Sequence, residues 1–193
     1  MSMNEDLQYW DACIFISWIK NNEQNREKSE LSGLKVLFHL LQNGKINVLT
    51  STITLVEVCQ AKFSKDQAEA IKLENDFLEL MTMPYFRLCP VDEEIGNLAR
   101  ILRNYYKFNK TYDGVLGFLT AIDAIHLATA IHYRAKVFQT FDKKDKPNNN
   151  KEINLGLARL NGDPGVKGLK IEAPSAQDYA IPKKPGKLNL PNP

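Results

Sequence analysis

The sequence predicts an α/β fold, with helices on both faces of a mostly parallel central sheet of about five strands. Three observations lead there. Short apolar runs that suit strands alternate with amphipathic stretches that suit helices along almost the whole chain. The first run, residues 8–16, is apolar on both faces, as expected of a strand covered on both sides. Acidic residues fall at the ends of these segments, where open α/β sheets gather their ligands.

The elements follow in order. Residues 8–16 form the first strand, and the charged stretch 20–30 reads as a loop. A helix over 32–42 carries Leu34, Leu37, Phe38 and Leu41 on one face and stops at Asn43-Gly44. Residues 46–49 form the second strand. Thr50, Ser51 and Thr52 then offer N-caps for a helix to about residue 63 that carries Glu57. Ser64 caps a further helix whose apolar members include Ala68, Ile71, Phe77 and Leu78. Residues 86–91 make the third strand, with Pro90 near its end. Asp92, Glu93 and Glu94 open the next helix, well placed against its dipole. A loop over 107–117 leads to a helix over 120–133. Residues 136–140 and 169–172 supply the fourth and fifth strands, and Gly162-Asp163-Pro164-Gly165 reads as a turn. Prolines crowd the end of the chain, which cannot continue as helix or central strand. The expected division is one domain over 1–176 and a proline-rich tail over 177–193.

Composition narrows the class. Of 193 residues, 44% are hydrophobic and 25% charged, so the chain has the means to build a core. A formal charge of +2 is too small to argue nucleic-acid binding without local clustering of cations. Cys13, Cys59 and Cys89 are scattered, fit no zinc spacing and are expected as free thiols of a reducing compartment. The N-terminus is acidic and no long uncharged apolar run follows. Neither a signal peptide nor a membrane span is expected, and the cytoplasm is the expected location.

The acids carry the chemistry. Asp11, Glu57 and Asp123 each interrupt an apolar segment, and Asp142 follows the strand-like run 137–141. Burying a lone carboxylate costs several kcal/mol or more unless a cation or strong donors compensate it. Several such acids in one domain suggest a shared hard cation, Mg²⁺ or Mn²⁺, held by oxygen ligands. Taken singly, Asp142 reads equally as a turn residue and Asp123 as a helix-start acid. Glu57 resists such a reading, because nearly every neighbour from 53 to 59 is apolar.

Four segments then appear in a telling order: Tyr9-Trp10-Asp11-Ala12-Cys13, Thr54-Leu55-Val56-Glu57-Val58, Asp123-Ala124-Ile125-His126-Leu127-Ala128 and Thr140-Phe141-Asp142. Together they resemble the PIN-domain nucleases, including the toxin ribonucleases of VapBC toxin–antitoxin pairs, over about residues 8–175. The resemblance implies a three-layer α/β/α PIN-like fold. It implies a metal pocket of Asp11, Glu57, Asp123 and Asp142, with Asp145 as a further acidic position. It also implies hydrolysis of RNA to 3′-hydroxyl and 5′-phosphate ends, an antitoxin partner and a homodimer. Thr140 matches a small hydroxyl residue common two before the fourth acid. Cys13 departs from the Ser or Asn frequent at its place, so a polar contact beside the first acid is expected to be lost. The stretch 104–117 and the tail also depart from the pattern.

The remaining candidates have two readings each. His126 lies one helical turn after Asp123 and is expected as a packed histidine bonded to backbone, the alternative being a ligand or general base. His39 and His132 read as structural or surface residues. Arg100, Arg103 and Lys107 recur at helical spacing among tyrosines; they suit either an RNA-gripping stripe or a solvated helix face. Lys143, Lys144 and Lys146 beside Asp142 could steer RNA into an otherwise repelling acidic pocket, the alternative being a solubilising surface. The expected function is therefore a divalent-metal-dependent endoribonuclease, the toxin of a toxin–antitoxin pair. The alternatives are an RNA-binding or assembly module that does not cleave, and a housekeeping RNA-processing nuclease. A receiver-type phosphoryl-transfer domain lacks a clear Asp and Lys pair in this sequence.

Overall fold

In the computed structural model, residues 7–20, 26–58, 67–109, 111–112, 115–147 and 152–177 are described. Five strands form the main sheet: β1 (Leu7–Trp10), β2 (Asn47–Ser51), β3 (Phe86–Cys89), β6 (Val137–Gln139) and β9 (Lys170–Glu172). Their order is β3-β2-β1-β6-β9, and all four pairings are parallel. The expected sheet is thus present, and β1 lies at its centre.

Because alternate side chains of a strand face opposite ways, the sheet feeds two cores. Tyr9, Leu49, Phe138 and Ile171 face one side. There they meet helices α5 (Glu93–Asn109) and α6 (Ala121–His132) through Ile95, Leu102, Leu127 and Ala128. Trp10, Val48 and Phe86 face the other side. They pack on α1 (Ala12–Ile19), α2 (Lys28–Gln42) and α4 (Gln67–Leu80) through Phe15, Phe38 and Phe77. Helix α3 (Ile53–Val58) caps the end of β2. Helices on two faces of one parallel sheet make three layers.

Several boundaries differ from expectation. The first strand ends at Trp10, and residues 12–19, expected to continue it in part, are helical. A short, wholly apolar run cannot distinguish a covered strand from a buried helix by periodicity. Asp11 makes the change of direction, with extended angles and a carbonyl that accepts the Ile14 N–H at 3.0 Å. Helix α2 begins at Lys28 rather than residue 32, because Glu27 and Glu30 form a capping box whose side chains answer each other's backbone N–H. The expected loop over 107–117 is instead the end of α5 followed by β4 (Thr111–Tyr112) and β5 (Val115–Phe118), an antiparallel pair. With β7 (Lys146–Pro147) and β8 (Ile153–Asn154) they form a second sheet, ordered β4-β5-β8-β7. Cys59, the cap Ser64 and residues 178–193 of the expected tail lie outside the described residues.

Two glycines are dictated by the fold. Gly44 adopts φ +60 at the end of α2, where it packs against the Tyr85 ring. Gly33, in mid-helix, lies against the chain leaving β9: a Cβ built there overlaps the Pro174 carbonyl group and stands 2.5 Å from the Ser175 nitrogen.

Candidate active site

Asp11, Glu57, Asp123 and Asp142 line one open cavity of about 630 Å³ at the carboxyl edge of the main sheet. Each comes from a different segment. Asp11 leaves β1, Glu57 lies in the helix after β2, Asp123 lies in the first turn of α6, and Asp142 follows β6 by three residues. Parallel pairing of β1 with both β2 and β6 aligns three of the strand ends, so the acids meet although they are far apart in sequence.

Local hydrogen bonds set each carboxylate. Asp11 Oδ2 accepts Thr140 Oγ1 at 2.8 Å and the Cys13 thiol at 3.1 Å. Thr140 Oγ1 in turn accepts the Asp142 N–H at 3.0 Å, so one hydroxyl braces two of the acids. Cys13 Sγ also accepts the Phe141 N–H at 3.1 Å. The polar contact expected to be missing at Cys13 is therefore supplied by its thiol. Burial, and then the Asp11 charge, push the Cys13 pKa well up, which keeps the proton that this contact needs.

Asp123 and Thr120 form a reciprocal cap: the Asp123 N–H reaches Thr120 Oγ1 at 3.0 Å, and that hydroxyl donates to Asp123 Oδ2 at 2.6 Å. Burial raises the Asp123 pKa, and the charges of Asp11 and Asp142 raise it further, against the lowering pull of the Thr120 hydrogen bond and His126. Asp142 Oδ1 accepts Lys146 Nζ at 3.0 Å, and its Oδ2 accepts the Leu157 N–H at 3.3 Å. The Asp142 hydrogen bond raises the Lys146 pKa. Glu57 Oε2 lies 2.6 Å from His126 Nε2.

His126 is fully buried, as expected of a packed histidine, but its partners are side chains rather than backbone. Its Nδ1 lies 2.5 Å from the Tyr9 hydroxyl, and its Nε2 lies 3.7 Å from Asp11 Oδ1 as well as against Glu57. Burial pulls its pKa down, yet the Glu57 hydrogen bond and the charges of Asp11, Glu57 and Asp123 outweigh that and raise it. His126 and Tyr9 are the site residues that sequence reasoning undervalued, whereas Lys146 lines the cavity beside Asp142 as expected. The spacing of Asp142 and Lys146 was a legible signal for one pair; nothing in sequence links Tyr9 to His126.

The other candidates separate. Asp145 accepts the Gly156 N–H at 3.0 Å and pairs with Arg159, so it braces the loop after β6 and does not line the cavity. Lys143 and Lys144 do line it, Lys143 being held by Glu30 of α2 at 2.6 Å. Burial raises the Glu30 pKa, but the hydrogen bonds from Lys143 and the Glu27 backbone outweigh this and leave it lowered. Arg100, Arg103 and Lys107 are elsewhere, in a groove of about 450 Å³ between α5 and α6. Arg103 Nε donates there to the Leu119 carbonyl at 3.2 Å, and Phe108, 72% exposed, stands at the groove with Lys107. His39 bonds Asn43, and His132 pairs with Glu94 at the surface.

Could the acids hold a metal? Among the described residues, no three acidic, histidine or cysteine side chains converge tightly enough to encircle an ion as placed. The donor set nonetheless fits a hard cation. Four carboxylates share one cavity, and those of Asp11 and Asp142 disfavour the ionised form of Asp123, a repulsion that a cation relieves. Mg²⁺ keeps several waters and takes one or two protein carboxylates directly, so close convergence of all four is not required.

Comparison with known proteins gives the family. The PIN-domain family model matches residues 9–146, a span that contains all four acids. The chain belongs to the PIN-domain nuclease family. A search of curated proteins gives no match. Among solved structures, the chain is similar to VapBC2 from Rickettsia felis bound to a DNA fragment from its promoter, with TM-score 0.53 and 14% identity over 86% of this chain and 97% of that one. It is similar to FitAcB from Neisseria gonorrhoeae, with TM-score 0.54 and 18% identity over 86% and 97%. A toxin–antitoxin complex from Klebsiella pneumoniae gives TM-score 0.50 and 20% identity over the same shares. At these identities the likeness establishes the PIN fold. Among the described residues, no helix of this PIN-domain protein is long and apolar enough to cross a membrane.

Proposed function

We propose that this PIN-domain protein is a divalent-metal-dependent endoribonuclease of the cytoplasm, the toxin of a toxin–antitoxin pair. The observation that carries the reading is the arrival of four carboxylates from four distant segments at one cavity with lysines at its rim. Asp11, Glu57, Asp123 and Asp142 would hold Mg²⁺ or Mn²⁺. When bound, such a cation lowers the pKa of water and neutralises charge on the phosphate. Lys143 and Lys144 draw the phosphodiester toward the acids, and Asp11 and Asp142 are kept in place through Thr140. The groove of Arg100, Arg103 and Lys107 adds a second anionic contact, with Phe108 offered to an unpaired base. Products with 3′-hydroxyl and 5′-phosphate ends follow from the family's chemistry. An antitoxin partner is supported by the toxin–antitoxin complexes among the structural relatives, and a homodimer by family resemblance.

Single-turnover cleavage of structured and unstructured RNA, and of DNA, in Mg²⁺, Mn²⁺ or EDTA tests this. Wild type should cut RNA only with metal, and Asp11→Asn and Asp123→Asn should each lose about 10²-fold or more. Variants that cut at the wild-type rate would dismiss the assigned site. A second reading, an RNA-binding module without cleavage, is favoured by one observation: Glu57 and Asp142 already have protein partners in His126 and Lys146. Metal-independent RNA binding with no cutting in either cation would support it. Cleavage without any co-purifying small partner would instead favour an RNA-processing role.

A further inference from the structure

The fully buried Tyr9 and His126 have no part in the chemistry above, yet they connect the sheet to one of its four acids. Tyr9 is immobilised in β1: its ring stacks on Phe138 at 4.9 Å between centroids, and its oxygen accepts the Ser51 N–H at 3.2 Å. That same oxygen meets His126 Nδ1 at 2.5 Å, and the other ring nitrogen meets Glu57 Oε2 at 2.6 Å. A carboxylate only accepts hydrogen bonds, so Nε2 carries a hydrogen whatever the state of Nδ1. The imidazole is thus a strut with a fixed sense, running from a rigid strand to Glu57.

Glu57 needs one. A glutamate has three rotatable side-chain bonds, one more than each of the aspartates that share the cavity. The other acids are held by hydroxyl, thiol or backbone N–H donors, from Thr140, Cys13, Thr120 and Leu157. Glu57 is braced by an imidazole from α6, buried beside the cavity, whose own position is set by β1.

We infer that His126, held by Tyr9, is the positioning residue for Glu57: it occupies Oε2 and so presents Oε1 to a cation in the cavity. This rests on reading the four acids as a cation site. Partners that orient metal-binding carboxylates typically govern affinity by 10–100-fold. Full-length wild type, His126→Leu, Tyr9→Phe, Glu57→Gln and the His126→Leu/Glu57→Gln double variant are titrated with Mn²⁺, free ion being read by electron paramagnetic resonance. His126→Leu should weaken Mn²⁺ binding about 10–100-fold and Tyr9→Phe in the same direction by less, whereas His126→Leu should add little once Glu57 is Gln. In metal-free protein, a slowly exchanging His126 Nε2–H resonance should appear in the ¹H–¹⁵N spectrum and move in Glu57→Gln. Tyr9→Phe, which deletes one hydroxyl, keeps the test valid if His126→Leu fails to fold. If the resonance does not respond to Glu57→Gln, the strut is refuted whatever the metal does. A responsive resonance with unchanged Mn²⁺ affinity in Tyr9→Phe and His126→Leu overturns the positioning role alone. Wild type that binds no Mn²⁺ despite that resonance overturns the cation-site reading, and the role with it.

Discussion

Asp123 lines the cavity at a cost to the fold. Its carboxyl is more easily protonated in the native state than in the unfolded chain, through burial and then the charges of Asp11 and Asp142. The native state therefore holds the proton to higher pH, and stability of metal-free protein falls as pH rises from the ordinary carboxylate range through the raised value. Asp123→Asn keeps a side-chain oxygen for Thr120 and should be at least as stable as wild type at pH 8 in EDTA, the advantage vanishing near pH 3. Urea melts at the two pH values check this. Cys13 makes a complementary case. Cys13→Ser should retain the contacts to Asp11 and Phe141, whereas Cys13→Ala leaves the Phe141 N–H without its partner and should cost about 1–2 kcal/mol in the same melts. The four acids were legible because charge inside apolar sequence is costly. The thiol's role was not, since it depends on Thr140 and Phe141, which reach Cys13 only through the pairing of β1 with β6.

At the scale of elements, α2 and the chain after β9 are mutually fitted at Gly33. In an exposed helix interior, Gly→Ala gains roughly 0.5–1 kcal/mol. Here the added methyl strikes the Pro174–Ser175 peptide, and Gly33→Ala should instead lose about 1–3 kcal/mol by denaturant titration, as an overpacked site does. A stabilised variant would mean that residues 174–175 move aside freely. Long amphipathic helices such as α2 and α5 were readable because their apolar faces repeat over several turns. The first strand was overextended since Ile14, Phe15 and Ile16 fit a covered strand as well as a buried helix. The β4–β5 pair was missed for a different reason: two-residue and four-residue strands carry too little alternation to be seen.

For the whole molecule, alternation of strand and helix foretold the parallel sheet, but not that β1 would lie between β2 and β6. That order is what gathers the acids, and it depends on packing of both faces rather than on any local preference. It also let a basic helical stripe settle in the α5–α6 groove, apart from the acidic cavity beside which Lys143 and Lys144 lie. A cation bound only to the assembled site should stabilise the fold by mass action, by about 2.7 kcal/mol at a hundredfold excess over its dissociation constant. Thermal melts with Mg²⁺ against EDTA should therefore rise by roughly 5–10 °C for wild type. Little of that rise should survive in Asp11→Asn.

The pairing of β1 with β6 joins Gln8 to Val137, far apart in sequence, so its formation is expected to come late in folding. Until β6 docks, Asp142 is not beside Asp11, so the joint pull of these two charges on Asp123 is complete only once β1 and β6 have paired. Time, then, is where the central position of β1 should be felt. Occupancy of the cavity ought to leave the refolding rate nearly unchanged and lengthen the native state's lifetime, as stabilisation formed after the transition state does. On the proposed reading, the protein should open slowly in saturating Mg²⁺ and quickly in EDTA, as unfolding-rate measurements would show.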